Sequence, residues 1–283
     1  MARIFFILLV VSGCTARAGH ITINIQKAIR EKKVKASVIS LGGHQGYCLQ
    51  LSVKNLTQDS LVLLIEAGLR FNSESHEEQD ILLVKSETLV LRRGQTRATA
   101  LKGYCCQASN RSPSANSKYG VGKLADSALC ALAQCFDTSM SDQDIEQQAI
   151  WAISDRKETS TIPPGSDSCA MELRKLVAKL KGEPVPWYTV GIRSHVYSNG
   201  RITQFATYVS GTLNFTVATD CYGTFSVEDS TGQKVQYIKS EWLTHSENQD
   251  YHFKVPVAGL KKGSYYVTMR GEGRTLARKK FEM

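Results

Sequence analysis

The sequence predicts a mainly β protein with a helical insert (α+β): an N-terminal β-sandwich with a helical cap, followed by an Ig-like β-sandwich. Three observations carry this. Short alternating apolar runs punctuated by Gly, Asn and Asp fill residues 21–101 and return after residue 186. Between them the apolar period lengthens from two residues to about 3.6. Pro184-Val-Pro186 then makes the sharpest break in the chain.

The first eighteen residues read as a secretory leader. Arg3 precedes an unbroken apolar run, Ile4 to Val11, and small residues follow. Eight apolar residues are too few to cross a bilayer, which takes about 18 or more. Two cleavages stay open. Ala16-Arg17-Ala18 suits ordinary signal peptidase and would leave Gly19 first. Val11-Ser12-Gly13-Cys14 resembles a bacterial lipobox, which makes Cys14 a candidate for lipidation and membrane association; this second cleavage is the preferred one.

Residues 19–183 form the first expected domain. Ile21-Thr-Ile-Asn-Ile, Val34 to Leu41 and Cys48 to Lys54 alternate, and Asn55-Leu-Thr-Gln-Asp-Ser60 supplies turn chemistry. Leu61 to Ile65 is continuously apolar; Ile81 to Lys85 and Thr88 to Arg92 follow, with a turn at Arg93-Gly94. Lys123 to Phe136 then places Leu124, Ala128, Leu132 and Cys135 on one helical stripe. Ser141 followed by Asp144 reads as an acidic capping box that opens a second helix at Gln143. Its run Ala149 to Ile153 is apolar on all sides, so this helix is expected to be buried. A third helix, Cys169 to Leu180, carries Cys169, Leu173, Leu176 and Leu180 on one stripe, with Glu172, Arg174 and Lys175 opposite. Residues 184–283 form the second domain, with strands at 211–217, 223–228, 251–255 and 264–270 and turns at Asp229-Ser-Thr-Gly232 and Leu260-Lys-Lys-Gly263.

The chain carries +9, and removal of the leader with Arg3 and Arg17 leaves +7. The basic residues are spread out, as on a solvated face, and no base-stacking or groove-reading motif accompanies them, so nucleic acid is excluded as a partner. Of eight cysteines, either cleavage takes Cys14 out of the pairing pool, which leaves seven and hence at least one thiol with no intramolecular disulfide partner. Cys130 and Cys135 lie about 140° apart round a helix and should not bridge each other. Cys135 and Cys169 fall on apolar stripes, which favours buried thiols or a helix-linking disulfide. No Cys-x-x-Cys spacing occurs, the histidines are scattered, and His76-Glu-Glu-Gln-Asp80 reads as a solvated turn, so neither a metal nor a cofactor is expected. Glu66, Asp80, Asp155 and Glu241 include no pair at a spacing that sets up glycosidase chemistry.

Two segments resemble known families. Val257-Ala-Gly-Leu-Lys-Lys-Gly-Ser-Tyr-Tyr-Val and the closing Lys279-Lys-Phe-Glu-Met resemble the last strands of Ig-like C-terminal modules on exported proteins of Bacteroidota-like bacteria. Some such modules are type IX secretion signals; the Pro-Asn-Pro-like opening of that signal is missing here. Glu146-Gln-Gln-Ala-Ile-Trp151 is similar to the Thr-Gln-x-Ala-Ile-Trp signature of surface thioester domains on adhesins, with Glu146 in place of the threonine. That resemblance implies a thioester between Gln147 and Cys105 or Cys106 of Tyr104-Cys105-Cys106. Adjacent strand residues face opposite ways, so only one of the two thiols could serve.

The expected function is that of a non-enzymatic cell-envelope or secreted binding and adhesion module for a surface glycan or protein. A covalent thioester adhesin is the alternative, and an envelope hydrolase with a site assembled across loops is the second.

Overall fold

The structure is a computed structural model that describes residues 21–138, 142–164, 168–198 and 201–283. The leader and the lipidation candidate Cys14 lie outside the described residues. The fold is mainly β with a helical insert. Among the described residues no helix is long and apolar enough to cross a membrane.

The chain starts with β1 (Ile21–Asn24) and α1 (Ile25–Arg30), then runs through β2 (Val34–Ser40), β3 (Gln45–Asn55), β4 (Leu61–Ile65) and β5 (Leu69–Ser73). β6 (Ile81–Leu83), β7 (Glu87–Leu91), β8 (Thr96–Cys105) and β9 (Lys118–Leu124) follow. β1, β4 and β7 make a three-stranded sheet, with β1 parallel to β4. The other six close a barrel in the order β2-β3-β8-β6-β5-β9, sealed where Val38 pairs with Tyr119. The small sheet packs on the barrel through one shared core that includes Leu49, Leu51, Leu61, Leu63, Phe71, Leu89 and Leu101. Two face-packed layers were expected; closure of the larger one leaves it no free edge. Gly103 makes one crossing possible, because a Cβ there would lie 2.5 Å from Ile81 Cγ2 and 2.9 Å from the Leu82 carbonyl oxygen. The expected turn at Asn55 is tied by its own side chain, which donates to the carbonyls of Asp59, Leu91 and Arg92.

The alternating run at the start of the domain stops at Asn24. Its Oδ1 accepts the Lys27 amide at 3.0 Å and turns Ile25 and Ala28, both buried, into the inner face of a helix.

The helical insert comprises α2 (Ser127–Thr138), α3 (Gln143–Ser154), a 3-10 turn (Thr159–Thr161) and α4 (Ser168–Lys181). It differs from expectation in three respects. α2 starts four residues late, because Lys123 and Leu124 belong to β9, where Leu124 pairs with Leu69, and Asp126 caps the helix by accepting the amides of Ala128 and Leu129. Its buried stripe is therefore Leu129, Leu132, Ala133 and Phe136. The cap of α3 is Asp142, whose side chain accepts the Asp144 amide; Ser141 lies outside the described residues. α4 is turned so that Ala170, Leu173, Arg174, Val177 and Ala178 are buried, which leaves Cys169 exposed. Cys130 and Cys169 are free thiols, as are Cys48, Cys105, Cys106 and Cys221, so no disulfide joins α2 to α4 through Cys169. The three helices cover the outside of the barrel, packing on Ala67, Leu82, Val84, Tyr104 and Cys106.

Beyond Pro186 come β10 (Tyr188–Val196), β11 (Ile202–Val217), β12 (Cys221–Asp229), β13 (Lys234–Leu243), β14 (Ser246–Pro256), β15 (Ser264–Gly271) and β16 (Arg274–Glu282). They form two antiparallel sheets, β10-β11-β14 and β13-β12-β15-β16, around Val209, Leu213, Phe225, Phe253, Val267, Met269 and Phe281. This is a β-sandwich with its own core.

On the outer face of the larger sheet the carboxylate of Glu228, 2% exposed, accepts from Arg270 at 2.8 Å and Arg278 at 3.2 Å. Burial alone would raise its pKa; the hydrogen bonds of Arg270, Arg278 and Thr268 and the charge of Arg270 outweigh that and hold it below the usual carboxylate value. A carboxylate with a depressed folded pKa contributes stability above its unfolded pKa and loses it as pH falls through the folded value. The wild type should therefore be more stable than Glu228→Gln at about pH 6, with the gap closing towards about pH 3 in urea titrations. A gap that is constant with pH would refute the pairing.

Candidate functional site

Gln147 is carried by α3 to the end of β8. Spacing of three and four residues puts Asp144, Gln147, Gln148 and Trp151 on one side of that helix. The other side buries Glu146, Ala149 and Ile150. Glu146 accepts the Tyr104 hydroxyl and, at 3.1 Å, the Lys102 ammonium, which fixes the helix against β8. The Gln147 carboxamide then meets the peptide of Cys105: Nε2 donates to the Cys105 carbonyl at 2.9 Å, and Oε1 accepts the Cys105 N–H at 3.1 Å.

Strand alternation separates the two candidate thiols. Cys105, fully buried, lies in the barrel core together with Cys48. Cys106, 3% exposed, points into the helical layer. Burial pushes the Cys105 thiol well above the usual range, and the Cys106 thiol up to about 12. Both are protonated near neutral pH, and a protonated thiol is a poor nucleophile. Gln147 is thus brought to the Cys105 peptide, and its hydrogen bonds do not reach Cys106.

Beside Gln147 opens a cleft of about 400 Å³. One wall is α3 with the barrel rim at His44 and Gln45; the other is the β10–β11 hairpin, with Thr189, Ile192, Ser194, Ile202 and Tyr208. Gln45 Nε2 donates to Asp144 Oδ1 at 2.8 Å. The His44 ring stacks on Trp151 with centroids 6.4 Å apart and planes 13° from parallel. Burial lowers the His44 pKa against the opposing pull of Asp144, so the imidazole lines the cleft in its neutral form at neutral pH. Tyr208 lies across Gly191, where a Cβ would sit 2.1 Å from the ring, so the glycine makes room for the aromatic side chain.

A second crevice of about 430 Å³ lies beyond Val190 and Ile192, lined by Asp155, Lys157, Gln204 and Lys262 among others. Lys157 donates to Gln204 Oε1, and its ammonium stands 4.8 Å from the Trp151 ring centroid. Burial lowers the Lys157 pKa, and Asp155 opposes the shift.

Between α4 and the hairpin, Arg174 closes the seam. Its side chain, 2% exposed, donates to the carbonyls of Ile162 and Tyr188 and, at 2.9 Å, to Thr189 Oγ1.

Three of the carboxylates that the sequence offered are engaged separately. Asp80 accepts from Arg70, Gln107 and the Ser73 amide, Asp155 from the Ala108 amide and Ser154, and Glu241 from Lys239. Among the described residues no group of three or more His, Cys, Asp or Glu is placed to hold a metal ion. His44, Gln45, Tyr208 and Arg174 carry no local motif, and Gln148 stands at the variable position of the Glu146-Gln-Gln-Ala-Ile-Trp151 run. Gly191 between Val190 and Ile192 was the one visible sign of a close approach. No protein-family model matches this chain, and no curated protein is significantly similar to it.

Proposed function

We propose that this chain is a non-enzymatic binding and adhesion module, exported to the cell envelope or secreted. Its glycan or protein ligand sits in the cleft between α3 and the β10–β11 hairpin. The observation that carries this reading is the cleft itself: aromatic and aliphatic walls with a few convergent amides, the usual make-up of a ligand site. The groups with chemistry to offer are committed to structure. Asp144 holds Gln45, His44 stacks on Trp151, and Gln147 holds the Cys105 peptide. Export is supported by the leader pattern, and Cys14 would anchor the chain if the lipobox is used. Ser194 lines the cleft from an exposed position, so Ser194→Trp fills it without entering a core. The full chain should adhere to its target surface, and Ser194→Trp should lower that adhesion about tenfold or more, a loss of about 1.4 kcal/mol. Undiminished adhesion by a folded Ser194→Trp protein would place the site elsewhere.

The contact between Gln147 and Cys105 supports a second reading, the covalent adhesin. There the Cys105 sulfur would attack the Gln147 carboxamide carbon, forming C–S and breaking C–N, with the thiol proton leaving on ammonia. An intact mass short by one ammonia, and gaining one methylamine on treatment, would establish it. A mass explained by cleavage and lipid alone would eliminate it.

A further inference from the structure

Buried side-chain atoms without a hydrogen-bond partner occur singly elsewhere, at Arg70, Glu78, Ser226 and Thr268, but gather where the β10–β11 hairpin faces α3. Gln45 Oε1, Gln148 Oε1 and Trp151 Nε1 belong to residues that line the cleft, are buried, and have no hydrogen-bond partner. Gln204 Nε2, in the adjoining crevice, is in the same condition. A buried polar group left without a partner costs about 1–3 kcal/mol, and native folds keep few of them. Four around one seam point to a ligand that supplies the missing bonds.

We propose that the cleft binds a neutral, hydroxyl-rich ligand, a short segment of uncharged glycan; this rests on the binding role proposed above. The unpartnered atoms are two acceptors and two donors, and a hydroxyl group can serve either kind. The charge of the walls selects a neutral ligand. No lysine or arginine lines the cleft, so an anionic sugar there would meet Asp144, while the nearest cation, Lys157, lies in the adjoining crevice and is held by Gln204. A cationic ligand would find only Asp144, which already holds Gln45. Ile145, Trp151, Val190, Ile192, Ile202 and Tyr208 provide apolar surface for the C–H faces of sugar rings.

A peptide is commonly read by a row of main-chain groups along a strand edge. Here the polar groups come from four separate side chains, an arrangement suited to hydroxyls radiating from a ring. The unpartnered atoms are buried. A ligand reaches them as the side chains that line the cleft give way.

The test is calorimetric titration of the full chain with neutral tetrasaccharides of glucose, mannose, galactose and N-acetylglucosamine. A heparin tetrasaccharide and an uncharged octapeptide represent the other classes. The expected result is saturable binding of at least one neutral tetrasaccharide, insensitive to salt. Gln148→Leu and Trp151→Phe should each weaken it about tenfold, and Gln148→Leu, at a half-buried position, tests this even if Trp151→Phe disturbs the core. Binding of heparin or the peptide alone, of no neutral tetrasaccharide, or of one that both variants hold undiminished would overturn the proposal. Ser194→Trp separates the two levels. If it abolishes surface adhesion while neutral tetrasaccharides do not bind, the cleft is the site and the ligand class is wrong; if adhesion persists, the cleft itself is wrong.

Discussion

Replacing Arg174 with alanine lowers the unfolding free energy by about 2–4 kcal/mol and separates the melting of the two domains. Arg174 is among the largest fully buried side chains of the protein, and it reaches from α4 across the seam to β10. Its loss leaves the carbonyls of Ile162 and Tyr188 and the Thr189 hydroxyl without their donor. Each orphaned acceptor costs about 1–3 kcal/mol, and the vacated volume adds a cavity term. One effect opposes these. Burial brings the Arg174 pKa down to about 10, which shows that the charge itself is unfavourably placed, and its removal returns part of the loss. Arg174→Met keeps much of the packing and removes the donors, so it should fall between wild type and alanine. Denaturant titration reads the magnitude. Proteolysis at the Pro184-Val-Pro186 linker reads the seam, with faster cutting expected in the alanine variant. An alanine variant within about 0.5 kcal/mol of wild type, still melting in one step, would show that Arg174 does not join the domains.

Nothing in the sequence singles out Arg174. It lies between Leu173 and Lys175 on a helix whose apolar stripe reads equally well one position away, with Cys169, Leu173, Leu176 and Leu180 inward. Helical periodicity fixes that a face is buried, but not which, when leucines and alanines are scattered over more than half the circumference. The same ambiguity misplaced the inner face of α2. Strands were legible wherever alternation was strong, as in Cys48 to Lys54 or Ser264 to Arg270. β10, which mixes Thr189, Gly191, Arg193 and His195 into its run, was not. Barrel closure rests on the pairing of Val38 with Tyr119, far apart in the chain, and leaves no local trace. The candidate site divides in the same way. Gln147 and Cys105 were visible as residue types and do meet, yet the partner of the carboxamide is a peptide, a group present at every position. The far wall of the cleft comes from the β10–β11 hairpin, distant in the chain from the barrel rim, so only the folded chain assembles it.

Gln147 has the second large effect. Gln147→Leu keeps nearly the same volume in a fully buried position and removes both hydrogen bonds to the Cys105 peptide. The Cys105 N–H retains the His44 carbonyl at 3.0 Å, so the principal loss falls on the Cys105 carbonyl. The expected cost is about 1–3 kcal/mol. Gln147→Glu costs more at neutral pH, because a carboxylate turns an acceptor towards the carbonyl where Nε2 had been a donor. When protonated, the introduced carboxyl can donate there again. Its folded pKa is accordingly raised above the usual value of about 4.3, so its stability is retained below that pH and lost as pH rises through the folded pKa. Urea titrations at about pH 4.5 and about pH 8 should show this variant recovering on acidification relative to Gln147→Leu. Equal deficits at both values would mean that the carboxamide does not hold the Cys105 carbonyl. The pair of variants also bears on the covalent reading. If Gln147 only positions β8, neither the wild type nor either variant gains mass with methylamine. If Gln147 forms the thioester, the wild type gains one methylamine and Gln147→Leu gains none.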